Sequence, residues 1–228
     1  MLKELLRAFA LLGDHQVRRV VWLGIGLSLL TFLTLLLGVE GLLNWAAATG
    51  YGWLDRVVDV LGVLGTMVVA WFLFPAVVVA ISSLFLDRVV DATEDRYHPS
   101  LPPTRPVPLR EAVPTALRLL GLSLLLNLLA LPVYFVPLVN LPVWLALNGY
   151  LVGREYAELV GLRRLDPAAF GVLRRQQPFM FWTTGIVIAF LLALPLVNLV
   201  APVVGASLMT QRFHRYCGDT VRLQARSA

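Results

Sequence analysis

Leu119–Gly153 reads LLGLSLLLNLLALPVYFVPLVNLPVWLALNGYLVG, 35 residues without Asp, Glu, Lys or Arg. A helix needs about 20 apolar residues to cross about 30 Å of hydrocarbon, so two crossings and a turn need about 40. The run is too long for one span and short for two vertical ones. Its middle, Pro137-Leu-Val-Asn140-Leu-Pro142, supplies a chain reversal, because proline ends one helix and permits the start of the next. Unlike a loop in water, this reversal carries no charge. Gln176–Gln211 repeats the arrangement, with 36 uncharged residues around Pro195-Leu-Val-Asn198-Leu-Val-Ala-Pro202, and the PLVNL core recurs after 58 residues. Together the runs predict two half-penetrating, re-entrant helical hairpins. Irregular backbone at that depth must be shielded by protein or line a wet cavity. Six ordinary spans with tight external turns are the alternative; both readings have the same parity.

Working outward, Val20–Val39 is 20 residues without charge and Val60–Leu86 is 27, each long enough to cross. Trp45, Tyr51 and Trp53 between them suit a membrane interface, next to Asp55, Arg56 and Asp59. Pro75 predicts a kink, since it cannot donate its backbone hydrogen bond. Helix is expected to continue through Asp87–Tyr97, where no Pro or Gly intervenes. In Pro99–Pro108, five of ten residues are proline, which makes an extended, stiff connector. The first residues, MLKELLRAFALLGD, place Leu2, Leu5, Leu6 and Phe9 at helical spacing, as in an amphipathic helix lying on a membrane surface. Charge interrupts this stretch too often for a cleaved signal, so it is expected to stay. The fold class is therefore all-α integral membrane, with residues 1–228 forming a single membrane domain. Its expected parts are an amphipathic interfacial helix (1–19), two long spanning helices (20–98), a proline-rich cytoplasmic linker (99–118), a first hairpin (119–153), a basic cytoplasmic connector (154–175), a second hairpin (176–211) and a basic tail (212–228).

Composition agrees. Of 228 residues, 58% are hydrophobic and only 14% charged, with mean hydropathy +0.77. Soluble domains carry about 45–50% apolar and about 25% charged residues, so lipid must cover the excess here. The net charge of +5 comes from 18 Arg and one Lys against 14 acids. Basic balance can signal nucleic acid, but on a membrane protein cytoplasmic loops explain it, and no nucleic-acid partner is expected. Lys3 and every arginine except Arg56 fall on one side of the predicted spans. The positive-inside rule then puts both termini in the cytoplasm. The lone Cys217 rules out an intramolecular disulfide framework.

No catalytic or metal-binding constellation is present: His15, His98 and His214 are scattered over polar segments and read as surface or interfacial residues. No enzyme activity and no cofactor are predicted. Neither hairpin holds Asp or Glu, so a buried relay there would have no carboxylate. What the chain offers suits an anion. Half-helices starting after Asn140 and Asn198 would present unsatisfied N–H groups with partial positive charge. Arg18 and Arg19, just before the first span, supply fork-shaped donors for capture. The plainer readings are cytoplasmic anchoring for the arginines and helix capping for the asparagines.

Three stretches carry a resemblance. They are Phe72-Leu-Phe-Pro75 through Ser83-Leu-Phe-Leu-Asp87-Arg88 to Tyr97-His-Pro99; Asn148-Gly149-Tyr150 through Arg154-Glu155-Tyr156 to Leu162-Arg163-Arg164; and Leu194-Pro195-Leu-Val-Asn198 through Pro202 and Gly205 to Thr210. In order and spacing the chain resembles the CysZ-type sulfate permeases of bacteria, within the wider family that includes the etoposide-induced membrane proteins. The resemblance implies sulfate uptake feeding cysteine synthesis, without an ATP-binding subunit, on two long spans and two half-penetrating hairpins. It also implies a sulfate-binding role for a Gly-Leu-Arg-Arg-like stretch before the first span. Here that stretch is His15-Gln16-Val17-Arg18-Arg19: the arginines match and the Gly-Leu does not. Asn148 and Gly149 are read either as functional or as serving close helix packing. Arg154 and Glu155 are available for ion pairs across an assembly. The expectation is a bacterial inner-membrane sulfate permease acting as a homo-oligomer in the lipid bilayer, because half-penetrating hairpins need neighbours. The competing expectation is a non-transporting membrane scaffold.

Overall fold

The computed structural model describes residues 1–47, 62, 65 and 85–227, which are helical throughout their regular structure and contain no strand. The elements are α1 (Leu2–Ala10), α2 (His15–Ala47), α3 (Leu86–Tyr97), α4 (Leu109–Tyr134), α5 (Asn140–Gly161), α6 (Pro167–Gln176), α7 (Pro178–Ala193) and α8 (Ala201–Ser227). Short 3-10 turns occupy Leu11–Gly13 and Val197–Leu199. Apart from its last two residues, the predicted span Val60–Leu86, with its Pro75 kink, lies outside the described residues except at 62 and 65, and Tyr51–Asp59 lies outside them entirely.

The chain forms two compact units, Arg18–Phe85 and the combination of Met1–Val17 with Leu86–Ala228. In the Arg18–Phe85 unit, α2 contributes most of Val17–Gly38, a stretch of 22 residues long and apolar enough to cross a membrane. Its hydroxyls disturb the apolar surface little, since Ser28, Thr31 and Thr34 each donate to the carbonyl four residues back.

The other unit holds both hairpins. Leu109–Tyr134 is also long and apolar enough to cross. Its helix therefore starts ten residues before the uncharged run does, directly after an extended chain from Leu101 to Pro108. Within it the uncharged part, Leu119–Tyr134, rises about 24 Å at about 1.5 Å per residue. The opposite arm, from Asn140 to Gly153, rises about 21 Å. In the second hairpin α7 rises about 24 Å, and α8 about 16 Å before Arg212. The uncharged stretches of all four arms fall short of about 30 Å, the length condition for hairpins that enter and return, although α4 as a whole is long enough to cross. The chain is an integral membrane protein of two long apolar helices and re-entrant hairpins.

An elbow leads into the second hairpin. Asp166 caps α6 by accepting from the N–H groups of Ala168 and Ala169, both at 2.9 Å, and Pro167 opens the helix. Gln177 then leaves helical geometry (φ −122°, ψ 45°), because Pro178 disfavours helix in the residue before it. α6 and α7 consequently meet at 87°. The core is the packing of α5, α7 and α8. Among the described residues α4 packs mainly against α5 and leaves Leu117, Leu120, Leu124, Leu125, Leu128 and Leu129 exposed. Removing each from water is worth about 1.5–3 kcal/mol. Six together rival the about 5–15 kcal/mol that holds a whole domain folded, so water is not the medium against this helix.

Candidate functional site

The repeated motif produces the same backbone event twice. Leu138 and Leu196, 58 residues apart, are the only non-glycine residues at positive φ among the described residues, at 69° and 65°. At Leu196 the geometry (ψ −46°) and the 2.8 Å bond from the Val197 N–H to the Pro195 carbonyl make a γ-turn. A β-carbon in that region costs about 1–3 kcal/mol. Both leucines are thrust outward, 93% and 83% exposed. Asn140 is the first residue of α5, exposed and not acting as its side-chain cap; Asn198 sits in the 3-10 turn, half-buried. Several amides at these tips are already used. The N–H groups of Asn140 and Val143 bond Val136 and Val139, those of Asn198 and Val200 bond Leu194 and Val197, and Pro142 and Pro202 have none.

Where the hairpins meet, glycines set the approach. Gly149 and Gly153, one turn apart on α5, face Gly185 on α7. A Cβ at Gly149 would lie 2.9 Å from the Ile186 Cα, and one at Gly185 would overlap the Gly149 carbonyl oxygen. Trp182 secures the crossing by donating its Nε1–H to the Ala146 carbonyl at 3.0 Å. Asn148 turns back to its own helix, donating to the Trp144 carbonyl at 2.9 Å.

At the charged ends of these helices lies a buried polar node. The Glu94 carboxylate on α3 accepts from Arg164 through Nε (3.1 Å) and Nη2, and from His214 Nε2 on α8 (2.7 Å). All three side chains are at most 5% exposed. Burial alone would raise the Glu94 pKa, yet the hydrogen bonds from His214 and Arg164 hold it below the usual carboxylate value. Arg163 bridges Asp87 (3.1 Å) and Asp91 one turn further along α3. For Asp91 burial outweighs that arginine, and its pKa is raised. Glu4 on α1 pairs with Arg215 and with the chain's amino terminus. Although burial opposes ionisation, these donors lower its pKa to about 2. The node thus ties α1, α3, the segment after α5 and α8 into one body.

Residues 4–202 match the family described as Sulfate transporter CysZ/Etoposide-induced protein 2.4. The chain belongs to this family. The CysZ family is a transporter family, and membership agrees with the integral membrane fold. No curated protein matches the chain.

Within this CysZ-family chain the sequence-predicted site residues are distributed. Arg18 and Arg19 lie near the start of α2, both exposed. Arg154 pairs with Glu158 on its own helix at 3.0 Å, and the same Glu158 oxygen accepts from Arg174 of α6 at 3.1 Å. Glu155 is exposed and joins no ion pair among the described residues. The packing reading of Gly149 is the one the α5–α7 crossing supports. His214 corrects the surface reading of the histidines: it is 7% exposed, with the His98 ring 4.8 Å away. Glu94, Arg164 and Arg174 were missed by sequence reasoning because Glu94 and Arg164 stand 70 residues apart and Glu158 and Arg174 16; Glu158, four residues after Arg154, did leave a local signal that went unread.

Proposed function

We propose that the chain is a permease that carries sulfate across the bacterial inner membrane for cysteine biosynthesis, without ATP hydrolysis. Family membership over residues 4–202 carries this reading. The anion is captured by Arg18 and Arg19, exposed at the start of a helix long enough to cross. A doubly charged oxyanion sheds water only where charge-assisted donors replace it, and guanidinium forks match its geometry. Asn140 and Asn198 mark the hairpin tips along the path, and residues 1–228 act as one membrane domain. Both termini face the cytoplasm, as the one-sided arginines require. The exposed leucines of α4 and of the two tips support a homo-oligomer, with copies covering what lipid does not.

The test is radiolabelled sulfate uptake into liposomes holding only the purified protein, with chloride and phosphate as competitors. Saturable uptake resisted by chloride is expected. The Arg18→Ala/Arg19→Ala variant should lose about tenfold or more in apparent affinity, the worth of one charge-assisted contact. Folded protein that gives no uptake above empty liposomes would replace the permease by a membrane scaffold.

A further inference from the structure

Every buried or half-buried arginine among the described residues of the hairpin unit faces a carboxylate, with one exception. Arg105 has Glu111, Arg154 and Arg174 share Glu158, Arg163 has Asp87 and Asp91, and Arg164 has Glu94. Arg212 is 6% exposed, yet no acid among the described residues reaches it. Its Nε has no acceptor among the described residues, and its guanidinium lies against the face of Tyr216, 5.3 Å from guanidinium carbon to ring centre. A ring face offsets little of what desolvating a guanidinium costs; a buried charge calls for a counter-charge. Adjacent Gln211, 3% exposed, likewise has a partnerless Oε1.

Position adds a second argument. Arg212 is the first charge after the 36 uncharged residues Gln176–Gln211, on the returning arm of the second hairpin where the apolar stretch ends. It is the first cation met on leaving that stretch. We propose that Arg212 is an oxyanion-binding residue, its counter-charge being a tetrahedral anion supplied from outside the chain. Sulfate emerging from the membrane path and the phosphate of a lipid headgroup share that chemistry. Fork donation from a fixed guanidinium suits either. The sulfate assignment rests on the permease reading; the site itself does not.

Thermal unfolding of the full chain in maltoside micelles, which hold no phosphate, tests this in an Arg18→Ala/Arg19→Ala background that removes the other candidate site. Without oxyanion, Arg212→Met should melt at or above its parent, since an uncompensated buried charge has been removed. Sulfate should raise the parent's Tm, with affinity about tenfold or more weaker in Arg212→Met. Arg215→Met is the control: it loses a charge on the same helix, but one already paired with Glu4, and should keep the sulfate response. Stabilisation of the parent but not of Arg212→Met by added phosphatidylglycerol, with no sulfate response, assigns the site to a lipid phosphate. Equal responses of parent and Arg212→Met to both additions overturn the proposal. Absence of liposome flux with the Tm response intact would remove the permease reading and leave the site standing.

Discussion

The two hairpins share a turn motif and a strained leucine, but they are held in opposite ways. In the second, α8 is buried without interruption from Ala201 to His214, enclosed by α1, α3, α5 and α7. In the first, the outer arm α4 is exposed along most of its length, and Ala130 is its one fully buried residue. The same PLVNL reversal therefore serves two environments. One hairpin is the core of the protomer; the other turns half its surface to lipid or to another subunit. Turn chemistry made the reversals, and the glycines and charges elsewhere decided which hairpin went inside.

The largest effect is expected where the hairpins touch. Gly185→Leu would drive a side chain into the Gly149 carbonyl and the Gly153 backbone, neither of which can rotate away. Overpacking typically costs about 1–3 kcal/mol when side chains can shift; here backbone must move, so the loss should exceed that range. Monodisperse protein recovered in detergent should fall sharply. Gly121→Leu on α4, where an added Cβ meets nothing within 4 Å, should be recovered normally. Equal recovery of the two variants would mean that the glycine crossing is not what joins the hairpins.

The next effect lies at the base of the buried hairpin. Glu94→Gln leaves Arg164 without its carboxylate, and breaking a buried pair from one side costs about 3–5 kcal/mol. The pH dependence has a definite sign. The folded-state pKa of Glu94 lies below its ordinary value of 4.5, so its contribution is complete above that value. It fades as pH falls through the depressed pKa, where the unfolded chain binds the proton more readily. Thermal melts of wild type and Glu94→Gln should therefore differ most near neutrality and converge in acid. A constant gap down to acid would deny the carboxylate its charged role.

Much of this contrast was legible in outline and little of it in detail. Charge-free runs and prolines around Asn140 and Asn198 located both hairpins, because membrane length and proline sterics act locally. The exchange of inside and outside was not legible. Arg212–Tyr216 looked like a solvated basic tail, yet Arg212, Phe213 and His214 are buried. His214 finds its partner, Glu94 on α3, 120 residues away in sequence. Within the chain Arg154 pairs with Glu158, four residues on and on the same helix face, a partner the sequence reading did not name. For the Arg18–Arg19 pair, the sequence supplied the chemistry and the structure adds its exposure.

The smallest effect separates the two strained tips. Leu138→Gly and Leu196→Gly each remove a β-carbon from positive φ, which should relieve about 1 kcal/mol of strain. If relief were all, the two substitutions would raise Tm about equally, because both leucines sit at positive φ. The exposed side chains argue otherwise. A leucine kept at a strained position and left uncovered by its own protomer gains its stabilisation from what lies beyond it. At the first tip the adjoining arm α4 also exposes its leucines, so Leu138→Gly should weaken the assembly while Leu196→Gly acts mainly within the protomer. Light scattering in detergent beside the melts reads both quantities. Unchanged mass for both variants would leave lipid, not a second copy, as the cover for the outer hairpin, and the contrast between the hairpins would then be one of solvent alone.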